Sequence, residues 1–540
     1  MNVVTRIFPF LEWVKGYRTG HLRADLISGI TVALVLIPQS MAYAQLAGLP
    51  VYYGLYASFL PPMVAALFGS SRQLATGPVA VVSLMTAAAL EPLARAGSAE
   101  YVAYAILLAL VVGAVQFVLG VLRLGLVVNF LSHPVINGFT NAAALIIATS
   151  QLSKLFGVAE RQGEHQYVTV YNVLVDAIDY THWPTVGMAA LSIAIMITLR
   201  RVNRKIPNVL VAVLATTVLS FAVGFEKNRT VDVASLGSPE VHDLVLDYNE
   251  IVAKRSKAEA LRSELNKNGG LAAQVQGGAC TSCHSEPEGG LIPGQGTGEI
   301  KVSPEKAMAL HHSAGLIDLY IGELKEHGEH YQDELKHVKL TLAEAPGGGF
   351  KFFLRGEVPQ GYSPEKGIWR IKVKNAPFTL DGIPLVGGGA VVGGIPKGLP
   401  TLALPEVNGN VLRQLLLVGA IISLLGFMEA ISIAKAMAAR TQQRLDPNQE
   451  LIGQGLANLV GCASHAYAVS GSFSRSAVNL QGGAVSGFSN VFSSAVVVIT
   501  LLFLTPLLYH LPQAVLASII MMAVIGLLNV RGFVHAWQAN

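Results

Sequence analysis

Apolar runs of membrane-spanning length recur along both flanks of this chain, and a polar, acidic block separates the two sets. A span needs about 20 mainly apolar residues. Runs at or near that length cover roughly 26–46, 52–68, 77–92, 101–121, 127–149, 184–199 and 207–224, then 411–436, 450–463, 474–484, 487–507 and 512–529. The third and the tenth are short, and Gly and Pro interrupt several others. The pattern predicts a polytopic α-helical membrane protein of twelve spans. The intervening block reads as a soluble domain, because 22 of the 34 Asp and Glu residues lie between Glu226 and Asp381. Inside it a charged helix is expected from Asp243 to Asn268, then a Gly-rich segment, then a helix from Pro304 to Leu342. Lys351 to Asn375 alternates like strands. The expected division is 1–225, 226–385 and 386–540.

Composition sharpens this picture. Of the 540 residues, 52% are hydrophobic and only 13% charged, with a mean hydropathy of +0.49. Soluble domains carry about a quarter charged residues, so lipid is expected to replace water around much of the surface. A net charge of +4 makes no case for nucleic acid. Three cysteines, Cys280, Cys283 and Cys462, are too few for a disulfide scaffold. Basic residues favour cytoplasmic loops. Arg72, the cluster Arg200, Arg201, Arg204 and Lys205, and the group Lys435, Arg440 and Arg444 all fall on one side if the N-terminus is cytoplasmic. Seven spans then carry the acidic block to the opposite, periplasmic face of a cell inner membrane.

Several strings carry more than hydropathy. Ile37-Pro38-Gln39-Ser40-Met41-Ala42-Tyr43-Ala44 is followed by Tyr53-Gly54-Leu55-Tyr56-Ala57-Ser58, Phe68-Gly69-Ser70-Ser71-Arg72 and Thr76-Gly77-Pro78. Further on come Gly138-Phe139-Thr140, Gln151-Leu152, Gly394 to Pro400, Gly426-Phe427-Met428-Glu429-Ala430, Gly471 to Ser476 and Leu511 to Ala517. Together they resemble the SulP sulfate permease family of anion transporters, on both flanks and not in the acidic block. The resemblance implies two inverted repeats of seven spans, with half-helices of the two repeats facing each other.

The residues make physical sense on their own terms. Gly77-Pro78 can open a helix, since Pro is favoured at the first helical position. Ser472 or Ser474 could cap another at about Arg475. Helix N-termini offer free N–H groups and partial positive charge, which suits an anion. Broken helices in two halves point to a transporter's midplane site. The resemblance then puts an inorganic anion near Gln39, Tyr43, Val79, Ser474 and Arg475. Gln39 would donate from its amide, Tyr43 would wall the pocket, backbone N–H groups near Val79 and Ser474 would bind, and Arg475 would supply positive potential. Gln39 and Tyr43 could instead bond between helices. Arg475 is harder to assign to packing, since a charge inside the membrane costs at least about 2.5 kcal/mol.

Glu429 sits among Gly426, Phe427, Met428, Ala430 and Ile431. Burial disfavours a charged carboxylate there, so Glu429 could carry a proton. It resembles the acidic residue of proton-coupled family members, which makes proton–anion symport the preferred coupling. A structural partnership with Arg475 or Lys435 is the alternative, and anion exchange or sodium-coupled bicarbonate uptake stays open. Cys462, His465 and His133 read as packing or loop residues.

The acidic block holds a separate signal. Cys280-Thr281-Ser282-Cys283-His284 is a CxxCH sequence. Two thiols at this spacing can attach a c-type haem through its vinyl groups, and the adjacent His284 can ligate the iron. The expected periplasmic side is where c-type haem is attached in bacteria. Met308 or His312 is the expected sixth ligand, the former giving the higher potential. A zinc site completed by other histidines, or a plain disulfide, are the alternatives. A haem here would imply a periplasmic redox partner.

The family pattern has fourteen spans followed by a cytoplasmic STAS domain, and the predicted spans reach twelve before Asn540. The sequence thus reads as a SulP-type fold truncated to about twelve spans, with an inserted cytochrome c-like domain. The expected function is secondary transport of an inorganic anion, sulfate before bicarbonate or chloride. A membrane-anchored cytochrome whose transporter part has become an anchor is the competing reading. Neither a nucleophile–base set nor a phosphate loop points to an enzyme. A homodimer is compatible with the fold, though the absent spans take away the region that would argue for it.

Overall fold

Within hydrocarbon a backbone must satisfy its own N–H and C=O groups, and the apolar flanks do so almost entirely as helices. The computed structural model describes residues 8–14, 16–94, 96–125, 133–158, 166–203, 207–277, 304–345, 349–365, 367–373, 377–379, 382–405, 407 and 409–525. The chain divides into two units, Met1–Glu226 with Gly389–Asn540, and Lys227–Gly388.

The first unit opens with α1 (Phe10–Val14) and α2 (Thr19–Leu46). The 28 residues of α2 reach about 42 Å at 1.5 Å each, enough to cross a core of about 30 Å. The run at 52–68 is broken into α3 (Tyr52–Tyr56) and α4 (Leu60–Phe68). Pro61 and Pro62 fall in the first turn of α4, where an N–H has no acceptor within the helix. Strand β1 (Ala75–Gly77) leads into α5 (Ala80–Leu90), followed by α6 (Ala99–Val121), whose Ser98 cap accepts from the Tyr101 N–H at 3.1 Å. Then come α7 (His133–Ser150), α8 (Leu152–Phe156), α9 (Gln166–Tyr180), α10 (Trp183–Val202) and α11 (Asn208–Ala222). Helix α9 lies outside every predicted span. Its Tyr167, Tyr171, Leu174, Val175 and Ile178 are exposed at helical spacing.

The second unit is built from β2 (Asn228–Val231), α12 (Pro239–Gly277), α13 (Pro304–His337), β3 (Leu340–Glu344), β4 (Phe350–Leu354), β5 (Ser363–Pro364), β6 (Arg370–Ile371) and β7 (Ile383–Val386). One small sheet runs β2-β7-β6 and the other β4-β3-β5. The two long helices are antiparallel. The Gln332 amide donates to the Tyr248 hydroxyl at 2.8 Å, and one turn on in each direction Gly328 faces Ile251. Val241, Val245 and Tyr248 pack with Leu335, Phe352, Trp369 and Leu385 in one core. The exposed faces carry Lys254–Glu250 and Arg255–Glu259 pairs at i,i+4 spacing. The hydrogen bond from Lys254 holds the Glu250 carboxyl below its ordinary range.

The first unit resumes with α14 (Gly409–Thr441) and α15 (Pro447–Ala463). Asp446 caps α15, accepting from the Asn448 and Gln449 N–H groups, and Pro447 takes the first helical position. Strand β8 (Ser470–Ser472) runs directly into α16 (Phe473–Gln481). Next, α17 (Phe488–Ile499) continues through a π turn, Thr500–Leu504, and a 3₁₀ turn, Thr505–Leu508, before α18 (Gln513–Ile525). Among the described residues, five helices are long and apolar enough to cross alone: Thr19–Leu46, Ala99–Val121, Trp183–Val202, Val411–Thr441 and Phe488–Leu508.

Glycines let α15 approach its neighbours closely. A Cβ on Gly455 would stand 2.5 Å from the Phe117 amide nitrogen of α6, and one on Gly453 would stand 2.6 Å from Gly69 Cα. Such small-residue contacts are how helices associate where water supplies no hydrophobic drive.

Candidate anion site at two paired half-helices

Helices α5 and α16 have 11 and 9 residues, about 16 and 14 Å long, so each covers roughly half a bilayer core. Each is preceded by a three-residue strand, and the two strands pair antiparallel: Ala75 with Ser472, Thr76 with Gly471, Gly77 with Ser470. The pairing satisfies extended backbone that would otherwise be orphaned at membrane depth. It also brings the N-termini of α5 and α16 together from opposite sides. Further bonds lock the arrangement. The Ser476 hydroxyl accepts from the Ala75 N–H at 2.9 Å, and the Asn479 amide donates to the Gln73 carbonyl at 3.1 Å. Ser470 donates to the Gly426 carbonyl at 2.6 Å, tying β8 to α14.

Gly77 adopts φ +146°, a region that favours glycine, and a Cβ there would stand 3.2 Å from Arg475 Nη2. Arg475 lies in the first turn of α16 and is 0% exposed. Its Nε, Nη1 and Nη2 have no hydrogen-bond partner among the described residues. Tyr43, Tyr467 and Glu429 are near enough to act on its charge.

The other residues singled out in the sequence lie at the starts of the two half-helices and on α2 and α14, which pack against them. Gln39 and Tyr43 share one buried face of α2, one turn apart, just after Pro38 interrupts the helix interior. Gln39 Oε1 is buried without a partner among the described residues. Val79 is the buried N-cap of α5. The first helical residue is Ala80, so Pro78 precedes the cap and does not occupy the first helical position expected for it. The α16 cap is Ser472, whose hydroxyl makes no capping bond and lies 3.4 Å from that of Ser474. Ser474 is exposed, and its N–H, at the second helical position, has no acceptor within the helix by geometry. Glu429 is half-buried on α14, and its Oε2 is buried without a partner among the described residues.

Cys280, Cys283 and His284 lie outside the described residues. Met308 and His312 fall on α13, in a stretch whose side chains are likewise outside them. Cys462 is buried in the packed core, where its thiol donates to the Leu459 carbonyl at 2.9 Å.

Sequence reading missed a second set of residues here. The Tyr467 hydroxyl lies 3.2 Å from that of Ser83 on α5. Glu450, Gln454 and Asn458 line one buried stripe of α15. Glu450 accepts from the Ser70 and Ser71 N–H groups, each at 2.9 Å. Their signal was available: an acid and two amides at i, i+4 and i+8 within an apolar helix.

A family model described as the sulfate permease family matches residues 22–272 and 381–540. "Sulfate transporter 4.1, chloroplastic" of Arabidopsis thaliana is 29% identical over 99% of this chain and 56% of its own length. "High affinity sulfate transporter 1" of Stylosanthes hamata is 27% identical over 99% of this chain and 58% of its own. The chain thus spans little more than half the length of these curated relatives, which are named as transporters and not as enzymes. Among solved structures, SLC26A9 superposes with a TM-score of 0.63 at 18% identity, covering 99% of this chain and 62% of that one. The transmembrane domain of a cyanobacterium bicarbonate transporter, BicA, gives 0.59 at 17% identity, covering 95% and 91%. These likenesses establish the fold, and with five long apolar helices among the described residues the chain is an integral, multi-pass membrane protein. On the family match over both flanks, the chain belongs to the sulfate permease family.

Proposed function

We propose that this protein is a secondary transporter of an inorganic anion, sulfate first, and that the anion sits between the N-termini of α5 and α16. One observation carries the reading: Arg475 is fully buried at the paired half-helices, with all three guanidinium nitrogens unpartnered among the described residues. A buried cation is costly unless an opposite charge or hydrogen-bond acceptors meet it. A tetrahedral oxyanion supplies both, and the two helix N-termini add N–H groups and favourable dipoles. Gln39, Tyr43, Val79 and Ser474 complete the seat. The relatives' names support sulfate, and the bicarbonate transporter among the similar folds makes bicarbonate the second substrate to try.

Glu429, beside Arg475 and with an open carboxyl oxygen, is the group we assign to proton coupling. Proton uptake by Glu429 would accompany entry of the dianion, and its release would accompany anion exit. The test is radiolabelled sulfate uptake into proteoliposomes under an imposed proton gradient. Arg475→Ala is expected to reduce uptake at least about 100-fold, the scale for removing one partner of a buried charge pair. Glu429→Gln is expected to leave uptake insensitive to the gradient. Wild-type protein inert toward sulfate, bicarbonate and chloride alike would overturn the reading in favour of a membrane-anchored cytochrome.

We further propose that Cys280 and Cys283 would attach haem c in a periplasmic second unit, that His284 and either Met308 or His312 would ligate its iron, and that a redox protein is its partner. The CxxCH motif and the position of α12 and α13 on either side of it in the chain support this. Bound haem would exchange single electrons at the iron. A pyridine haemochrome spectrum present in the wild type and lost in a Cys280→Ala, Cys283→Ala variant is expected. Zinc in place of iron by elemental analysis would exclude it. If haem state gates transport, reductant changes uptake in the wild type and not in that variant.

A further inference from the structure

The two strands of the anion seat are held from one side by a single buried face of α15. Asn458, 1% exposed, makes a two-point contact with the backbone of Val469, the residue immediately before β8. Its Oδ1 accepts from the Val469 N–H at 2.8 Å, and its Nδ2 faces the Val469 carbonyl at 3.2 Å. The same Nδ2 donates to Gln116 Oε1 of α6 at 3.0 Å. Gln116 in turn donates to the Ser423 carbonyl of α14 at 3.3 Å. One turn earlier on α15, Gln454 donates to the Thr76 hydroxyl of β1 at 2.8 Å. One side of one helix therefore holds β8 through Asn458 and β1 through Gln454. The gripped positions adjoin the register pairs Gly77 with Ser470 and Thr76 with Gly471.

An amide that both accepts from and donates to one residue's backbone imitates the edge of a neighbouring strand. Such a contact fixes position along the strand as well as distance from it. The Asn458 amide is buried and bonded through both its oxygen and its nitrogen, so a slip of the strand would leave desolvated groups unpaired. Among the described residues none of this face hydrogen-bonds the Arg475 guanidinium, so its influence on an anion passes through the strands.

We infer that Asn458, supported by Gln116 and working with Gln454, is the positioning residue that sets the spacing of the two half-helix N-termini. The inference rests on the anion-site reading for its functional consequence but not for its structural one. The experiment therefore has two arms on the full chain in nanodiscs or proteoliposomes. In the first, backbone hydrogen exchange is compared between wild type and Asn458→Ala. Faster exchange confined to 75–77 and 469–472, with α10 unchanged, is the expected result. Exchange that is unchanged in those segments, or raised uniformly across the first unit, overturns the proposal. Should Asn458→Ala fail to fold, Gln116→Ala leaves Asn458 in place and removes only its support, and the same local pattern is expected at smaller amplitude.

In the second arm, saturation of sulfate uptake is measured. Asn458→Ala and Thr76→Val are expected to raise KM about tenfold, in line with one or two lost hydrogen bonds, with a smaller change in maximal rate. Thr76→Ser, which keeps the hydroxyl, is expected to restore wild-type KM. A lowered maximal rate at unchanged KM would assign these residues to stability alone. If the wild type carries no anion, the proposed function fails, and the exchange arm still decides the positioning role.

Discussion

Gly77 shows how much of the candidate site hangs on single atoms. Its φ of +146° is strained for any side chain, and a Cβ would press on Arg475 Nη2 at 3.2 Å. Gly77→Ala is expected to destabilise the protein by about 1–3 kcal/mol, the range for a residue held in a sparsely populated backbone region. Sulfate uptake should fall by more than the loss of folded protein explains, because the guanidinium must move. Thermal unfolding in detergent and uptake per folded molecule measure the two effects separately, and wild-type uptake at a lowered melting point would contradict the account. At this scale the sequence was informative where a residue breaks a local rule. An arginine in an apolar run, a proline inside a span and a Gly-Pro pair each stand out, and they mark Arg475, Pro38 before Gln39, and the start of α5. Tyr467 breaks no such rule, and the polar stripe of Gln454 and Asn458 marks a buried face without naming what it holds. Their roles depend on partners that spacing does not encode: Gln454 meets the Thr76 hydroxyl and Tyr467 the Ser83 hydroxyl across hundreds of residues, and Asn458 meets the Val469 backbone beyond the end of its own helix.

Among elements, α15 is the organiser, and its glycines make this testable. Gly455 faces the backbone of Phe117, which cannot rotate aside as a side chain would. Gly455→Val is expected to cost at least about 2 kcal/mol, typical of overpacking that forces a backbone shift. Gly187, exposed on α10 with nothing within 4 Å of where a methyl group would stand, gives the contrast. Gly187→Ala should be neutral or stabilising by up to about 1 kcal/mol, from helix propensity alone. Melting curves of the two variants side by side check both claims, and equal losses would remove the close-packing argument. Hydropathy located most of these elements because an apolar run long enough to span has few alternatives. It could not separate continuous spans from broken ones, so 52–68 became α3 and α4, and 487–507 became a helix with π and 3₁₀ turns. It passed over α9 because that helix is amphipathic: Asp176 and Asp179 dilute the mean, while Tyr171, Leu174 and Ile178 keep one face apolar.

For the whole molecule, the second unit enters and leaves the chain at adjacent points. Within that unit β2 pairs antiparallel with β7, Asn228 opposite Val386, and the Gly387 N–H donates to the Lys227 carbonyl at 2.7 Å. Within the first unit the Gly389 N–H donates to the Phe225 carbonyl at 2.9 Å. Ends this close are what allow a domain to be inserted into, or removed from, a host fold without stretching it. Each unit also has its own core: Val245, Leu335 and Trp369 in one, and Leu36, Tyr43 and Val515 in another. Replacing Lys227–Gly388 with a short Gly-Ser linker is therefore expected to leave the first unit folded and monodisperse, because closing so short a gap costs little loop entropy. If the anion seat is complete within that unit, the excised chain should keep uptake that Arg475→Ala abolishes, and lose any response to reductant. A folded but inactive excised chain would instead make the second unit part of the transport cycle. The paired strands, Arg475 and the α15 face all belong to the first unit, and that is the physical ground for expecting transport to survive.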